Sequence, residues 1–183
     1  MDHSLSLDDV RSMTKMAICV ALLCMSAYIS FPVPFASAMV TALTLAMNLA
    51  AFVLTPQQTL VVMFLYTLIG AAGLPVFVGG AAGFGEIFGP RGGFLIAFII
   101  AYPIVSYLKG SKNDWKRYLF VAVVVGIPIT YIGWLVSLIY FLHLKLWPAM
   151  LAAVFPFIPG DVIKAVVAAY IGARINKELE QLH

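Results

Sequence analysis

The sequence predicts an all-α integral membrane protein with six transmembrane helices, the last one preceded by a proline- and glycine-containing break. Of its 183 residues, 63% are hydrophobic and only 10% are charged, against about 25% charged residues in a typical soluble domain. Apolar stretches long enough to approach the thickness of a bilayer recur between short polar or proline-containing turns. No internal repeat is visible, so residues 1–183 are assigned to a single membrane domain.

The six predicted spans are separated by helix-breaking residues. Pro32 and Pro34 end the first span, and Pro56 follows the second, because proline cannot continue a helix that precedes it. The sixth span is interrupted at residues 156–160, which predicts a short half-helix followed by a helix that starts near Gly160. The predicted spans are residues 13–30, 36–54, 57–73, 93–108, 118–142 and 148–175.

The basic residues predict the orientation of the chain. With a cytoplasmic N-terminus and six spans, the internal segments are residues 1–15, 109–117 and 174–183, and they hold eight of the eleven lysines and arginines. That bias follows the positive-inside rule, so we expect a multi-pass protein of the cell membrane with both termini cytoplasmic. The formal charge of +3 is explained by this pattern and indicates no nucleic-acid partner.

A glycine-rich stretch at residues 70–93 holds most of the chain's 14 glycines. Glycine permits positive φ and close backbone approach, so such a stretch can leave amides and carbonyls available to a ligand. The alternative is a plain connector between two spans. Within it we expect Gly79, Gly80, Phe77 and Phe84 to line a ligand pocket, although phenylalanine in a membrane protein is often simple packing.

Four charged residues lie in two motifs on the predicted external side. Asp161 and Lys164 are three positions apart at the start of the last helix and therefore share a face. They can be a helix cap with its ion pair, or the polar wall of an otherwise apolar pocket. Arg91, in the glycine-rich stretch, can clamp a ligand carboxylate or pair with Glu86.

Other patterns carry less information. Ala17 and Ala21 form a flat stripe on the first span, which would allow another helix to approach closely. Cys19 and Cys24 point to different faces of that helix, so we predict no disulfide. The three histidines lie far apart in the sequence, and we predict no metal site and no cofactor.

Two segments resemble the signature regions of the BioY family, the substrate-binding S components of energy-coupling factor (ECF) biotin transporters. They are GLPVFVGGAAGFGEIFGPRGGFLIAF at residues 73–98 and FIPGDVIKAVVAAYIGA at residues 157–173. The alanine-spaced first span and the Val33-Pro34-Phe35 turn after it are also similar. The resemblance covers nearly the whole chain in order and length.

The resemblance implies a six-helix protein without catalytic activity that binds biotin near its external face. It implies ligand contacts for Asp161, Lys164 and Arg91, and a docking surface at Ala17 and Ala21 for a transmembrane coupling protein that works with two cytoplasmic ATPases. Asp161 and Lys164 suit the ureido group, and Arg91 suits either the carboxylate or the ureido oxygen. The loops between spans 1 and 2 and between spans 3 and 4 would close over the ligand.

The chain departs from the family pattern at residues 36–38, where Ala36-Ser37-Ala38 replace a threonine and a nearby glutamine. This departure leaves open a biotin precursor or another small vitamin as the ligand. Two other classes are a membrane-embedded enzyme that uses Asp161 and Lys164 as acid and base, and a purely structural subunit. The spans contain no familiar catalytic set, and a structural subunit would leave the external charges unexplained.

Overall fold

A computed structural model of the protein describes residues 10–32 and 39–181. The described part of the chain is mostly helical, with one short hairpin in which strands β1 (Ser30–Pro32) and β2 (Met39–Thr41) pair antiparallel. The helices are α1 (Val10–Ser26), α2 (Leu43–Val53), α3 (Pro56–Ala71), α4 (Phe84–Ile87), α5 (Gly92–Leu108), α6 (Trp115–Val121), α7 (Ile127–Leu142), α8 (Leu146–Ala153) and α9 (Ile158–Gln181).

Helix length alone does not fix the number of membrane spans. Within the described part of the chain, the continuous helix Trp115–Leu142, 28 residues long, is long and apolar enough to cross a membrane. Helices α8 and α9 would form a second span if counted as one unit bent by 48°, whereas Leu43–Val53 and Gly92–Leu108 are shorter apolar helices. The all-α class is confirmed, and the count of six spans stays a prediction.

The predicted second span is wrong at its beginning. It was expected to start at residue 36, but Met39–Thr41 forms strand β2 and the helix begins at Leu43. The first helix also ends at Ser26, earlier than expected, because the chain leaves it to pair Ser30 with Thr41. An apolar run of this length does not distinguish a strand from a helix. Residues 33–38, which include the departure at 36–38, lie outside the described residues.

Local sequence sets several helix boundaries. Thr55 caps α3, since its hydroxyl accepts from Gln58 N at 3.4 Å while Gln58 Oε1 accepts from Thr55 N at 3.1 Å. Pro128 explains the π-helical segment Ala122–Gly126 that joins α6 to α7. Because proline lacks an N–H and its ring clashes with the carbonyl four residues earlier, a wider turn is accommodated there.

The bundle is held by close helix contacts, of which α5 with α7, α2 with α9 and α3 with α5 are the most extensive. Where α5 crosses α7, a Cβ added to Gly133 would lie 2.5 Å from Gly93 O and 2.6 Å from Ala97 Cβ. Gly93 N also donates to Ser137 Oγ at 2.6 Å, which satisfies an otherwise unpaired amide at the start of α5. Gly93 and Gly133 therefore allow the close approach of α5 to α7, which positions the end of the glycine-rich segment against α7.

The end of α2 is capped by side chains from two other helices. The Lys109 ammonium donates to Ala51 O at 2.9 Å and Phe52 O at 2.7 Å, and it also donates to Leu54 O. Asn176 Nδ2 donates to Phe52 O at 2.8 Å from α9. Burial lowers the pKa of Lys109 to about 7, while three carbonyl acceptors at a helix C-terminus favour its charged form. These contacts close the end of the bundle opposite to the charged motif of α9.

Candidate ligand site at the start of the last helix

Asp161 lies in the first turn of α9 and is almost fully buried, with 8% of its surface exposed. Its Oδ1 accepts from Thr44 Oγ1 at 3.1 Å and lies 2.7 Å from Lys164 Nζ. Its Oδ2 accepts from Tyr131 Oη at 2.6 Å. A buried carboxylate needs such partners, and here they come from α2, α7 and α9 together.

Lys164 is the cationic half of the site. Its side chain is 14% exposed, and Nζ donates to Thr41 O at 3.0 Å and to Thr44 Oγ1 at 3.0 Å in addition to its ion pair with Asp161. The Thr44 hydroxyl therefore accepts from the ammonium and donates to the carboxylate. Thr41 belongs to β2, so Lys164 also connects α9 to the hairpin between α1 and α2. The ion pair expected from the sequence is present within a larger buried polar cluster, and the role of the pair as the wall of a ligand pocket stays a prediction.

The break before α9 positions Asp161 and Lys164 at the start of that helix. Helix α8 ends at Ala153, and the chain turns through residues 154–157 before α9 begins at Ile158. Asp161 N donates to Phe157 O at 2.8 Å, which joins the turn to the new helix. A carboxylate in the first turn is favoured by the positive end of the helix dipole. The predicted half-helix, break and helix are present, with the break a few residues earlier than expected.

Arg91 lies apart from the buried cluster, at the N-cap of α5. Its guanidinium is half-exposed, and its Nη1 lies 3.6 Å from Glu86 Oε2. The structure thus shows Arg91 paired with Glu86, which the sequence analysis gave as the alternative to a clamp on a ligand carboxylate. This separation is longer than a normal hydrogen bond, so the pair is loose and leaves the guanidinium accessible.

The glycine-rich segment forms tight turns. Gly79 and Gly80 have φ of 72° and 77°, a conformation that side chains rarely adopt, and they lie in the short helical turn Val78–Gly80. The ring of Phe77 is 2% exposed and packs edge-on against Tyr66, with centroids 5.8 Å apart. Phe84 is 62% exposed. Phe77 therefore anchors the segment in the core, and ligand contacts for these four residues stay predictions.

Ala17 and Ala21 are exposed on α1. Their large apolar neighbours Ile18 and Met25 are also exposed, at 62% and 69%. The opposite side of α1 contributes Leu23 to the core. The stripe is therefore on an outer surface of the bundle, as a docking surface requires, and its role in docking stays a prediction.

Sequence reasoning missed Thr44 and Tyr131. Each lies inside an apolar span, where a lone hydroxyl residue carries no distinguishing signal, and neither belongs to a motif with the charged residues. Their role follows from the packing of α2 and α7 against α9. A polar group inside a span must find a partner, but the sequence does not show which one. As for metals, no group of three or more histidine, cysteine, aspartate or glutamate side chains within residues 10–32 and 39–181 could hold an ion.

The fold is that of the S components of ECF-type ABC transporters. The chain superposes on a crystal structure of the S-component for biotin from an ECF-type ABC transporter with a TM-score of 0.85, at 23% identity, covering 92% of each chain. It also matches the S component of a bacterial ECF transporter with a TM-score of 0.57, at 17% identity, covering 94% of this chain and 96% of that one. At these identities the likeness establishes the fold.

The chain belongs to the BioY family, whose family model matches residues 1–181. It is 33% identical to the biotin transporter BioY of Thermotoga maritima over 171 residues, which cover 92% of this chain and 97% of the relative. It is 34% identical to the probable biotin transporter BioY of Pyrococcus horikoshii over 170 residues, covering 91% and 96%. The predicted family is confirmed, and with it a membrane transporter rather than an enzyme.

Proposed function

We propose that this protein binds biotin between α2, α7 and α9 and serves as the substrate-binding subunit of an ECF-type importer. The observation that carries the proposal is the buried cluster of Asp161 and Lys164 with Thr44 and Tyr131. Maintaining a buried charge pair in a membrane protein is costly and usually marks a functional site. The relatives of this chain are biotin transporters, which identifies the ligand that the site is proposed to take.

The chemistry of biotin matches this cluster. Its ureido ring has two N–H donors and one strong acceptor, which suit the Asp161 carboxylate and the Lys164 ammonium respectively. Both residues already exchange hydrogen bonds with Thr44, so a ligand would replace existing partners rather than desolvate free charges. Replacing one set of hydrogen bonds with another avoids the cost of about 1 to 3 kcal/mol for each buried group left unpaired.

Arg91 is proposed to interact with the carboxylate end of the ligand. The Glu86 pairing at 3.6 Å is weak because the arginine is half-exposed, and such surface pairs contribute about 0 to 1 kcal/mol. The guanidinium can therefore turn to an incoming carboxylate at small cost. Phe84 and the glycine turn at Gly79 and Gly80 are proposed to cover the ring system.

The orientation and partners are part of the same proposal. The protein crosses the membrane several times with both termini in the cytoplasm, which the distribution of basic residues supports. Ala17 and Ala21 dock a transmembrane coupling protein, and two cytoplasmic ATPases drive release of the ligand inward. The exposure of both alanines on α1 supports this assignment, since small residues allow close helix approach.

Calorimetric titration of biotin into detergent-purified, ligand-stripped protein tests the proposal. We expect tight, saturable binding of biotin and none of thiamine or riboflavin. A biotin precursor such as dethiobiotin, titrated in parallel, separates the alternative ligand from biotin itself. Absence of biotin binding by protein with a cooperative thermal unfolding transition would overturn the assignment, and preference for the precursor would replace it with the alternative.

A further inference from the structure

A pocket lies beyond the charged cluster, between the glycine-rich segment and α7. Its volume is about 370 Å³. One wall carries the loose pair of Glu86 and Arg91, and the opposite wall is apolar. Its lining includes Gly85, Glu86, Arg91, Trp134, Leu138 and Leu142.

One face of α7 connects this pocket to the proposed ligand site. Tyr131, Trp134, Leu138 and Leu142 are spaced by three, four and four residues, so they form one stripe along the helix. Tyr131 donates to Asp161 at one end of the stripe, and the other three line the pocket. At a rise of about 1.5 Å per residue, Tyr131 and Leu138 are roughly 10 Å apart along the axis. A ligand held at Asp161 would direct an extended tail along this stripe.

The pocket presents both signs of charge. The carboxylate of biotin uses the arginine alone and leaves the neighbouring Glu86 carboxylate without a ligand partner. Glu86 is 29% exposed and Arg91 51% exposed, and their 3.6 Å separation leaves both able to take other partners. Two adjacent groups of opposite charge are complementary to a group that itself carries an ammonium and a carboxylate. An α-amino acid is such a group.

We propose that the pocket binds the amino-acid end of biotin conjugates, so that the substrates include biotin joined by an amide bond to the ε-amino group of lysine. This inference rests on the proposed biotin site. The lysine carboxylate pairs with Arg91 and its α-ammonium pairs with Glu86, while the aliphatic linker lies along Trp134 and Leu138. Free biotin reaches the same pocket with its carboxylate and uses Arg91 alone.

Gly85 offers a way to close the pocket without disturbing the fold. A Cβ added there meets no heavy atom within 4 Å, and its φ is not positive. Gly85→Leu should therefore fold normally while filling space in the pocket. In calorimetric titrations we expect wild-type protein to bind the biotin–lysine conjugate within about tenfold of biotin. Gly85→Leu should weaken the conjugate at least tenfold more than it weakens biotin.

Glu86→Gln provides an independent test, because it should weaken binding of the conjugate without weakening binding of biotin. Removing the carboxylate takes away the partner of the α-ammonium, so the conjugate should bind more weakly. The same change frees Arg91 from its competing anion, so biotin should bind at least as tightly as before. The ratio of the two affinities should shift at least fivefold toward biotin, which a general structural defect would not produce because it would weaken both ligands.

The outcomes separate this inference from the proposed function. Failure of wild-type protein to bind biotin would overturn the function, and with it the inference. Tight biotin binding combined with conjugate binding more than a hundredfold weaker would overturn the inference alone. An unchanged affinity ratio in both Gly85→Leu and Glu86→Gln would also overturn it, because the conjugate would then bind without using this pocket.

Discussion

The hydroxyl of Tyr131 donates a 2.6 Å hydrogen bond to Oδ2 of Asp161. The other carboxylate oxygen is held by Thr44 and Lys164, so both oxygens of a buried acid have defined partners. The bond to Tyr131 joins α7 to the first turn of α9. It therefore joins the charged cluster to the helix that also lines the pocket beside Glu86 and Arg91.

Tyr131→Phe should weaken biotin binding about tenfold and lower the unfolding temperature slightly. The variant removes one hydrogen bond from a buried carboxylate, a change of about 1 to 3 kcal/mol, and leaves the ring in place. Calorimetry measures the affinity and thermal unfolding measures the stability. Tyr140→Phe, on the same helix but 73% exposed, is the control and should change neither. Equal behaviour of the two variants would remove Tyr131 from the site.

Asp161 and Lys164 should show strong coupling in a double-mutant cycle. Each single variant, Asp161→Asn or Lys164→Met, leaves a charge with exposure of 10 to 14% without its partner, and should cost roughly 3 to 5 kcal/mol of stability if the site behaves as fully buried. The double variant should lose less than the sum of the two singles. All three should weaken biotin binding at least tenfold. Additive stability losses would show that the pair is not energetically coupled, and unchanged binding in both singles would exclude the pair as the ligand site.

The sequence predicted the charged pair and its break because both depend on local signals. Pro156 cannot continue the helix that precedes it, and an acid and a base three positions apart share a helical face whatever surrounds them. Thr44 and Tyr131 could not be predicted, since their contacts depend on which faces of α2 and α7 meet α9. The start of α2 was misplaced for a related reason. Strand pairing between β1 and β2 is a non-local interaction that apolar composition does not reveal.

Gly133→Ala should destabilise the protein by about 1 to 3 kcal/mol, the usual cost of overpacking a tight contact. The added Cβ would lie 2.5 Å from Gly93 O, so α5 and α7 must move apart. Because Arg91 lies at the N-cap position of α5 and Trp134 lies on α7, the separation should also weaken binding of biotin. Gly85→Ala, whose Cβ meets no heavy atom within 4 Å, is the matched control. Thermal unfolding measures the stability of both variants. Equal stability of the two would show that the crossing of α5 and α7 tolerates a methyl group.

Ala17→Trp and Ala21→Trp should leave biotin binding unchanged and abolish stable association with the coupling protein. Both alanines are exposed on α1 and remote from the charged cluster in sequence, so a large side chain can be added without repacking the core. It would instead hold apart two helices that approach through small residues.

Co-purification of the tagged protein with co-expressed coupling protein and ATPases measures assembly, and calorimetry measures binding. Ile132→Trp, at a position 60% exposed on α7, controls for adding a tryptophan to the outer surface. Normal assembly of both alanine variants would place the docking surface elsewhere, whereas loss of assembly in the Ile132 variant as well would indicate a general effect of surface bulk.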